Sequence, residues 1–212
     1  MHESSMSTHN ERSLAPLYGL VLNGGKSKRM KQNKASLQYH GKAQLAHAFD
    51  LLSVDCEEVF VSTRQEQALL HAQFPQIHDT YRFPGPVNGI LSALTAFPDI
   101  AWLALANDLP HVDAETIQTL IRHRNPQKAA VAYYNSQRAF TEPLCTIYEP
   151  IKKTRLLDYL NAGGKVFREV LEAPDIRLLP PQGRLTLLNV NYPEEYTQTI
   201  ALLSRRQSRQ AL

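Results

Sequence analysis

Residues 18–37 read YGLVLNGGKSKRMKQNKASL: the apolar run Leu20 to Leu22 stops abruptly at Asn23-Gly24-Gly25, and Lys26, Lys28, Arg29 and Lys31 follow before Lys34. This is a short strand entering a loop. Two adjacent glycines allow positive φ and close backbone approach to a ligand, while loop N–H groups ahead of a helix start favour an anion. Lysine and arginine at fixed offsets add full charges. The spacing alone fits a phosphate cradle and an ordinary strand-to-helix connection with a solvated basic face equally well.

Outward from this loop the chain alternates strand and helix patterns. Ala43 to Leu52 carries Leu45, Ala48, Phe49 and Leu52 on one helical face, and Glu57 to Thr63 is a β-branched run short enough for a buried strand. Gln65 to Gln73 is helical by composition and stops at Pro75; Ile77 to Thr80 is extended, with Asp79 where that strand meets its loop. Phe83 to Gly89 packs two prolines and two glycines, Gly85 among them, ahead of an apolar helix at Ile90 to Phe97. As a local pattern it fits a ligand contact or a structural turn with proline near the first helical position.

Ala101 to Ala106 has the unbroken apolar character of a central parallel strand and ends in Asn107-Asp108-Leu109-Pro110. A carboxylate at that end of an open α/β sheet stands among the ligand-binding groups, and Mg²⁺ is commonly held by one or two carboxylates plus substrate phosphates. Because Asp113 already occupies the cap position of the next helix, Ala114 to His123, Asp108 is read as a metal residue rather than a cap. Further strands are expected at Lys128 to Tyr134, Glu142 to Tyr148, Ile176 to Leu179 and Leu185 to Leu188. Helices are expected at Ile151 to Asn161, ended by Gly163-Gly164, at Val166 to Leu171, and after Pro193. The alternation predicts a doubly wound α/β sheet.

The 212 residues, 43% apolar and 20% charged, suit one domain with a full-sized core. The expected division is a disordered arm over residues 1–16, a single domain over 17–204 and a basic tail over 205–212 with Arg205, Arg206 and Arg209. A net charge of +3, with no long basic face interleaved with aromatics, speaks for an anionic small ligand and against nucleic acid. Cys56 and Cys145 have no CxxC partner and sit in apolar contexts, so they read as buried thiols rather than a disulfide or zinc site. No apolar run approaches a membrane span and no leader pattern opens the chain, so a cytoplasmic location is expected. None of the eight histidines falls in a His-x-x-x-His zinc pattern, and no GxSxG elbow, P-loop spacing or GxGxxG fingerprint occurs.

Taken in order, VLNGGKSKRMKQNKASL, GPVNGIL, NDLP, EPLCTIY and NVNYPEEY resemble the nucleotidyltransferases that guanylylate molybdenum cofactor, the MobA-like family, from Tyr18 to about Leu203. The resemblance implies a Rossmann-like three-layer α/β/α sandwich with a mostly parallel central sheet, of the nucleotide-diphospho-sugar transferase type. It implies that Leu22, Asn23, Gly24, Gly25, Arg29 and Lys34 lie on the nucleotide, with Asp79 and Gly85 beside its base and sugar. Asp108 would hold Mg²⁺, with Arg29, Lys34 and Asp108 the catalytic group, and Asn189 and Asn191 would lie where the pterin phosphate approaches. GTP and molybdopterin are the implied substrates, and a monomer in transient contact with cofactor-insertion proteins is the implied arrangement.

The chain departs from the family pattern at three places: Lys31 stands where glycine is usual, Asn33 where aspartate is, and Asn23 where alanine is common. Arg29 and Lys34 are retained. A cytidylyltransferase on the same pterin, a sugar-1-phosphate nucleotidyltransferase and a non-catalytic nucleotide-binding module are the competing readings of the same chain.

Overall fold

Seven strands form one sheet among the residues described in the computed structural model, which are 13–23, 34–83, 85–135, 139–164 and 167–210; for Lys34 and 206–210 the backbone alone is described. The strands are β1 (Leu17–Leu22), β2 (Glu58–Thr63), β3 (Gln76–His78), β4 (Ala101–Ala106), β5 (Ala130–Asn135), β6 (Phe140–Tyr148) and β7 (Ile176–Leu179), in the spatial order β3-β2-β1-β4-β6-β5-β7. β1 lies between β2 and β4 and is parallel to both. β6 alone runs against its neighbours β4 and β5. The chain therefore works outward from β1 to β3 on one side and returns to β4 on the other. That makes the β1/β4 seam the topological switch point, where open sheets of this kind form a ligand crevice at the carboxyl ends of their strands.

Every residue of β4 is buried, as its unbroken apolar character requires of a strand covered on both faces. β1 shows how the two faces divide. Gly19 packs against Leu52 of α1 (Gln44–Ser53), whereas Tyr18 joins Phe60, Phe97 and Trp102 in an aromatic cluster on the other face. That second face carries α2 (Val87–Ala96), whose Gly89 lies hard against β1 and β2. A Cβ there would sit 2.1 Å from the Ser62 hydroxyl and 3.2 Å from a Leu22 methyl, so only glycine lets α2 approach the strand ends this closely. The remaining helices are α3 (Ala114–Arg122), α4 (Lys152–Asn161) and α5 (Pro193–Gln210). With helices on both faces, the molecule is the expected three-layer α/β/α sandwich with a mostly parallel sheet. Both cysteines are buried thiols, and among the described residues no helix is long and apolar enough to cross a membrane.

Four expectations need correction. Gln65 to Gln73 forms a 3₁₀ helix, Gln65–His71, rather than an α-helix, and its Leu69 and Leu70 remain exposed. The turn is short because β3 begins at Gln76, leaving little chain to span from β2. Phe167–Leu171 is likewise 3₁₀, and Val166 lies outside the described residues. Leu185 to Leu188 is not a strand: Leu188 N–H bonds to the Leu185 carbonyl at 2.9 Å, closing a turn. Leu187 is buried by packing rather than by pairing, while β7 takes the edge beside β5. The strand expected to open at Glu142 begins earlier, at Phe140, which places Pro143 inside β6 rather than at its start. The β5–β6 register shifts between Ala132 and Tyr134, so proline falls in the stretch where the ladder is interrupted. There Tyr148 Oη donates to the Pro143 carbonyl at 2.8 Å and Thr146 Oγ1 to the Glu142 carbonyl at 2.5 Å.

The opposite end of the sheet is held by charge. Arg124, just after α3, donates from Nε and Nη2 to the two carboxylate oxygens of Glu149, at 2.8 and 3.0 Å. A second bond from Nη2 reaches the Ala15 carbonyl ahead of β1 at 2.8 Å. Both side chains are only 6% exposed.

Candidate active site

The site begins where β1 and β4 end side by side. Asn107 continues the ladder, its N–H bonding to the Leu22 carbonyl at 3.3 Å. Its side chain then donates from Nδ2 to Asn23 Oδ1 at 2.7 Å. Asn23 in turn faces His71 Nε2 with its Nδ2 at 2.7 Å. All three side chains are buried. The amide thus satisfies its acceptor and one donor inside the fold, as a buried polar group must.

Asp108 follows at the tip of β4, half-buried, with its Oδ1 accepting from Asn189 Nδ2 at 3.2 Å. The Asp108 carbonyl accepts the Val190 N–H at 2.9 Å, so the late Asn-x-Asn segment is tied directly to the Asn-Asp-Leu-Pro loop. Asp113 has the separate role expected of it: it caps α3, accepting from Thr116 N–H at 2.9 Å and Thr116 Oγ1 at 2.6 Å. Asn191 is turned toward the last helix, its N–H and that of Tyr192 both donating to Glu195 Oε2 at the start of α5.

A small second core of Leu37, Tyr39, Val190 and Leu203 braces this corner. Tyr39 packs edge-on to Tyr196 with ring centroids 5.0 Å apart, and Tyr196 Oη donates to the Gln38 carbonyl. Burial pushes the Tyr39 hydroxyl up from its ordinary pKa, and the neighbouring Tyr196, Asp108 and Glu195 push it further, so it remains neutral. His40 Nε2 donates to the Pro110 carbonyl at 2.9 Å, fastening the segment after Lys34 to the Asp108 loop.

Asp79 and Gly85 stand apart from this cluster, across the ends of β2 and β3. The three strand spacings from β3 to β4 amount to roughly 14 Å. Asp79 N–H bonds to the Thr63 carbonyl at 3.0 Å and its carboxylate accepts from Ser62 Oγ at 3.2 Å. Burial raises its pKa, an effect the Ser62 bond partly offsets. Gly85 has φ +82 with open space where a Cβ would be. Asn88 clamps the preceding loop, accepting from Phe83 N–H at 2.8 Å and donating to the Phe83 carbonyl at 2.6 Å.

Of the residues singled out from the sequence, Leu22, Asn23, Asp108 and Asn189 meet at the β1/β4 seam. Asp79 and Gly85 face the same strand ends from further along, and the Asn191 backbone is engaged by Glu195. Gly24, Gly25, Lys26, Lys28, Arg29, Lys31 and Asn33 lie outside the described residues, as does the side chain of Lys34, whose backbone opens a 3₁₀ turn, Lys34–Ser36. Sequence reasoning missed His71, Tyr39, His40 and Asn88 as parts of the site. The one available signal was Asn23 itself, since an asparagine at the end of a buried strand needs buried partners.

The His40 ring also stacks on His47 of α1, with centroids 3.8 Å apart. Burial, then the adjacent His40 and Lys42, lower the His47 pKa from 6.5 to about 4, with Asp50 acting weakly the other way. The unfolded chain takes up this proton near pH 6.5 and the folded chain only near pH 4, so acidification through that window favours unfolding. Thermal midpoints measured from pH 7 to 4 are expected to fall, and to fall less steeply in His47→Leu. Equal slopes would contradict this origin of the acid sensitivity.

A polar row lines the carboxyl ends of β3, β2, β1 and β4, with a carboxylate at the switch point, the place where open α/β sheets of this class bind their ligands. The comparisons with known proteins identify the family. The model of the MobA-like NTP transferase domain matches residues 19–176, and the chain belongs to that family of nucleotidyltransferases. A molybdenum cofactor biosynthesis bifunctional protein of Synechocystis is 36% identical over 88% of this chain, which spans 54% of that relative's length. A probable molybdenum cofactor guanylyltransferase of Trichormus variabilis is 27% identical over 84% of this chain and 88% of its own. The crystal structure of molybdopterin-guanine dinucleotide biosynthesis protein A from Archaeoglobus fulgidus superposes with a TM-score of 0.74 at 20% identity, covering 89% of this chain and 99% of that one. The family resemblance and the sandwich fold read from the sequence are thereby borne out.

Proposed function

We propose that this chain transfers GMP from GTP to the terminal phosphate of molybdopterin, forming the guanine dinucleotide cofactor and releasing pyrophosphate. The observation that carries the reading is the convergence of Asn23, Asp108 and Asn189 at the β1/β4 seam, in a chain whose relatives are named for this chemistry. An oxygen of the pterin phosphate forms a bond to the α-phosphorus of GTP as the bond from that phosphorus to the α,β-bridging oxygen breaks, and the electron pair leaves with pyrophosphate. A phosphate monoester is already an anionic nucleophile, so the protein's task is positioning and charge neutralisation rather than proton abstraction.

Asp108 is the residue assigned to Mg²⁺. Among the described residues no group of three or more His, Cys, Asp or Glu side chains could cage a metal. A single half-buried carboxylate, oriented by Asn189, fits Mg²⁺ shared with substrate phosphates. When bound there, Mg²⁺ would neutralise charge on the α-phosphate and the departing pyrophosphate. Arg29 and Lys34 are assigned to the phosphates, Asp79 and Gly85 to the base and sugar, and Asn189 with Asn191 to the pterin phosphate. Competition between GTP and CTP, with molybdopterin as acceptor and the product identified by mass, tests the base assignment. The guanine dinucleotide is expected to dominate; a cytosine dinucleotide as the main product would overturn it.

A further inference from the structure

Asn23 has one acceptor and one donor group, and the acceptor is taken by Asn107 Nδ2. What it turns toward His71 is therefore an N–H, and His71 Nε2 must offer a lone pair to receive it. That requires a neutral imidazole with its proton on Nδ1. Burial acts in the same direction, lowering the pKa of His71. The three side chains form one directed chain, Asn107 to Asn23 to His71, and each link fixes the orientation of the next.

The two ends of this chain have different attachments. Asn107 is the residue before Asp108, and its N–H extends the β1/β4 ladder by one step past Leu22. His71 ends the 3₁₀ turn that follows β2, on the far side of β1. An imidazole with its proton on Nε2, or on both nitrogens, would set N–H against N–H and turn the Asn23 amide over. Asn107 would then lose its acceptor at the seam. We propose that His71 is a positioning residue: as an Nε2 acceptor it sets the Asn23 amide, and through Asn107 the backbone that presents Asp108. This rests on the assignment of Asp108 and the β1/β4 seam to nucleotidyl transfer.

The test uses the full chain with GTP, Mg²⁺ and molybdopterin, and follows pyrophosphate release. His71→Leu removes the acceptor at similar volume, and loss of such an orienting partner is expected to lower kcat by about 10- to 100-fold with the KM for GTP changed far less. His71→Gln can place Oε1 near the Nε2 position and is expected to recover most of the loss, which a purely packing role would not do. Equal activity of His71→Leu and wild type, or equal impairment of the two variants, would overturn the proposal. Should His71→Leu fail to fold, nitrogen-detected imidazole spectra of the wild type decide the matter. An unprotonated Nε2 with a protonated Nδ1 at neutral pH, together with recovery in His71→Gln, supports the proposal; a proton on Nε2 overturns it. Wild-type protein inactive with GTP would instead overturn the functional reading, and the positioning role with it.

Discussion

Asp108→Asn is expected to cost about a thousandfold in kcat, the scale of several kcal/mol of lost transition-state charge stabilisation, while the protein stays folded. The substitution keeps an oxygen to accept from Asn189 Nδ2 and leaves the carbonyl bond to Val190 N–H untouched, so the corner between β4 and α5 retains its connections. What it removes is the negative charge assigned to Mg²⁺. Steady-state pyrophosphate release across a Mg²⁺ titration, beside a thermal melt, reads both halves of the expectation. Full turnover in the variant would remove Asp108 from the metal; a collapsed melt would make it structural. Asp108→Ala should lose activity to a similar degree and some stability besides, because Asn189 Nδ2 would then lose this acceptor.

At the other end of the sheet, Arg124→Met should destabilise the fold by about 3–5 kcal/mol, because it leaves the Glu149 carboxylate buried without its cation. The Ala15 carbonyl loses its partner in the same step, loosening the entry into β1. Chemical denaturation measures the loss. The double variant Arg124→Met with Glu149→Leu should recover much of it, since replacing both members of a buried pair with apolar groups is often near neutral. A loss confined to Arg124→Met identifies an orphaned charge, whereas equal losses in both variants would mean that packing around the arginine carries the stability. In either variant the folded fraction should retain its turnover, since this pair lies at the end of the sheet opposite Asp108.

The central strands were readable because burial on both faces leaves a continuous apolar run, and β1 and β4 each end in a polar cluster that marks the crevice. The antiparallel course of β6 was not readable. Strand direction is set by how the connection from β5 returns, and no residue within EPLCTIY encodes it. Leu185 to Leu188 shows the converse difficulty: a short apolar run is equally compatible with a strand and with a turn whose leucine packs inward. Around the β1/β4 seam, Asp108, Asp79 and Asn189 were singled out from motif position, yet the hydrogen bond joining Asn189 to Asp108 depends on the path of the chain after β7. His71 had no local signature at all. Its role arises from a contact with Asn23 made by the turn that follows β2, and tertiary contacts of that kind leave no periodicity behind.

The central claim, guanylyl transfer to a pterin phosphate, is tested most directly by measuring pyrophosphate and dinucleotide together in one reaction of the wild-type chain with GTP, Mg²⁺ and molybdopterin. Pyrophosphate appearing in equal amount to the guanine dinucleotide, and only when molybdopterin is present, is the expected result. Pyrophosphate release that is independent of molybdopterin, or GTP bound without any dinucleotide formed, would contradict it.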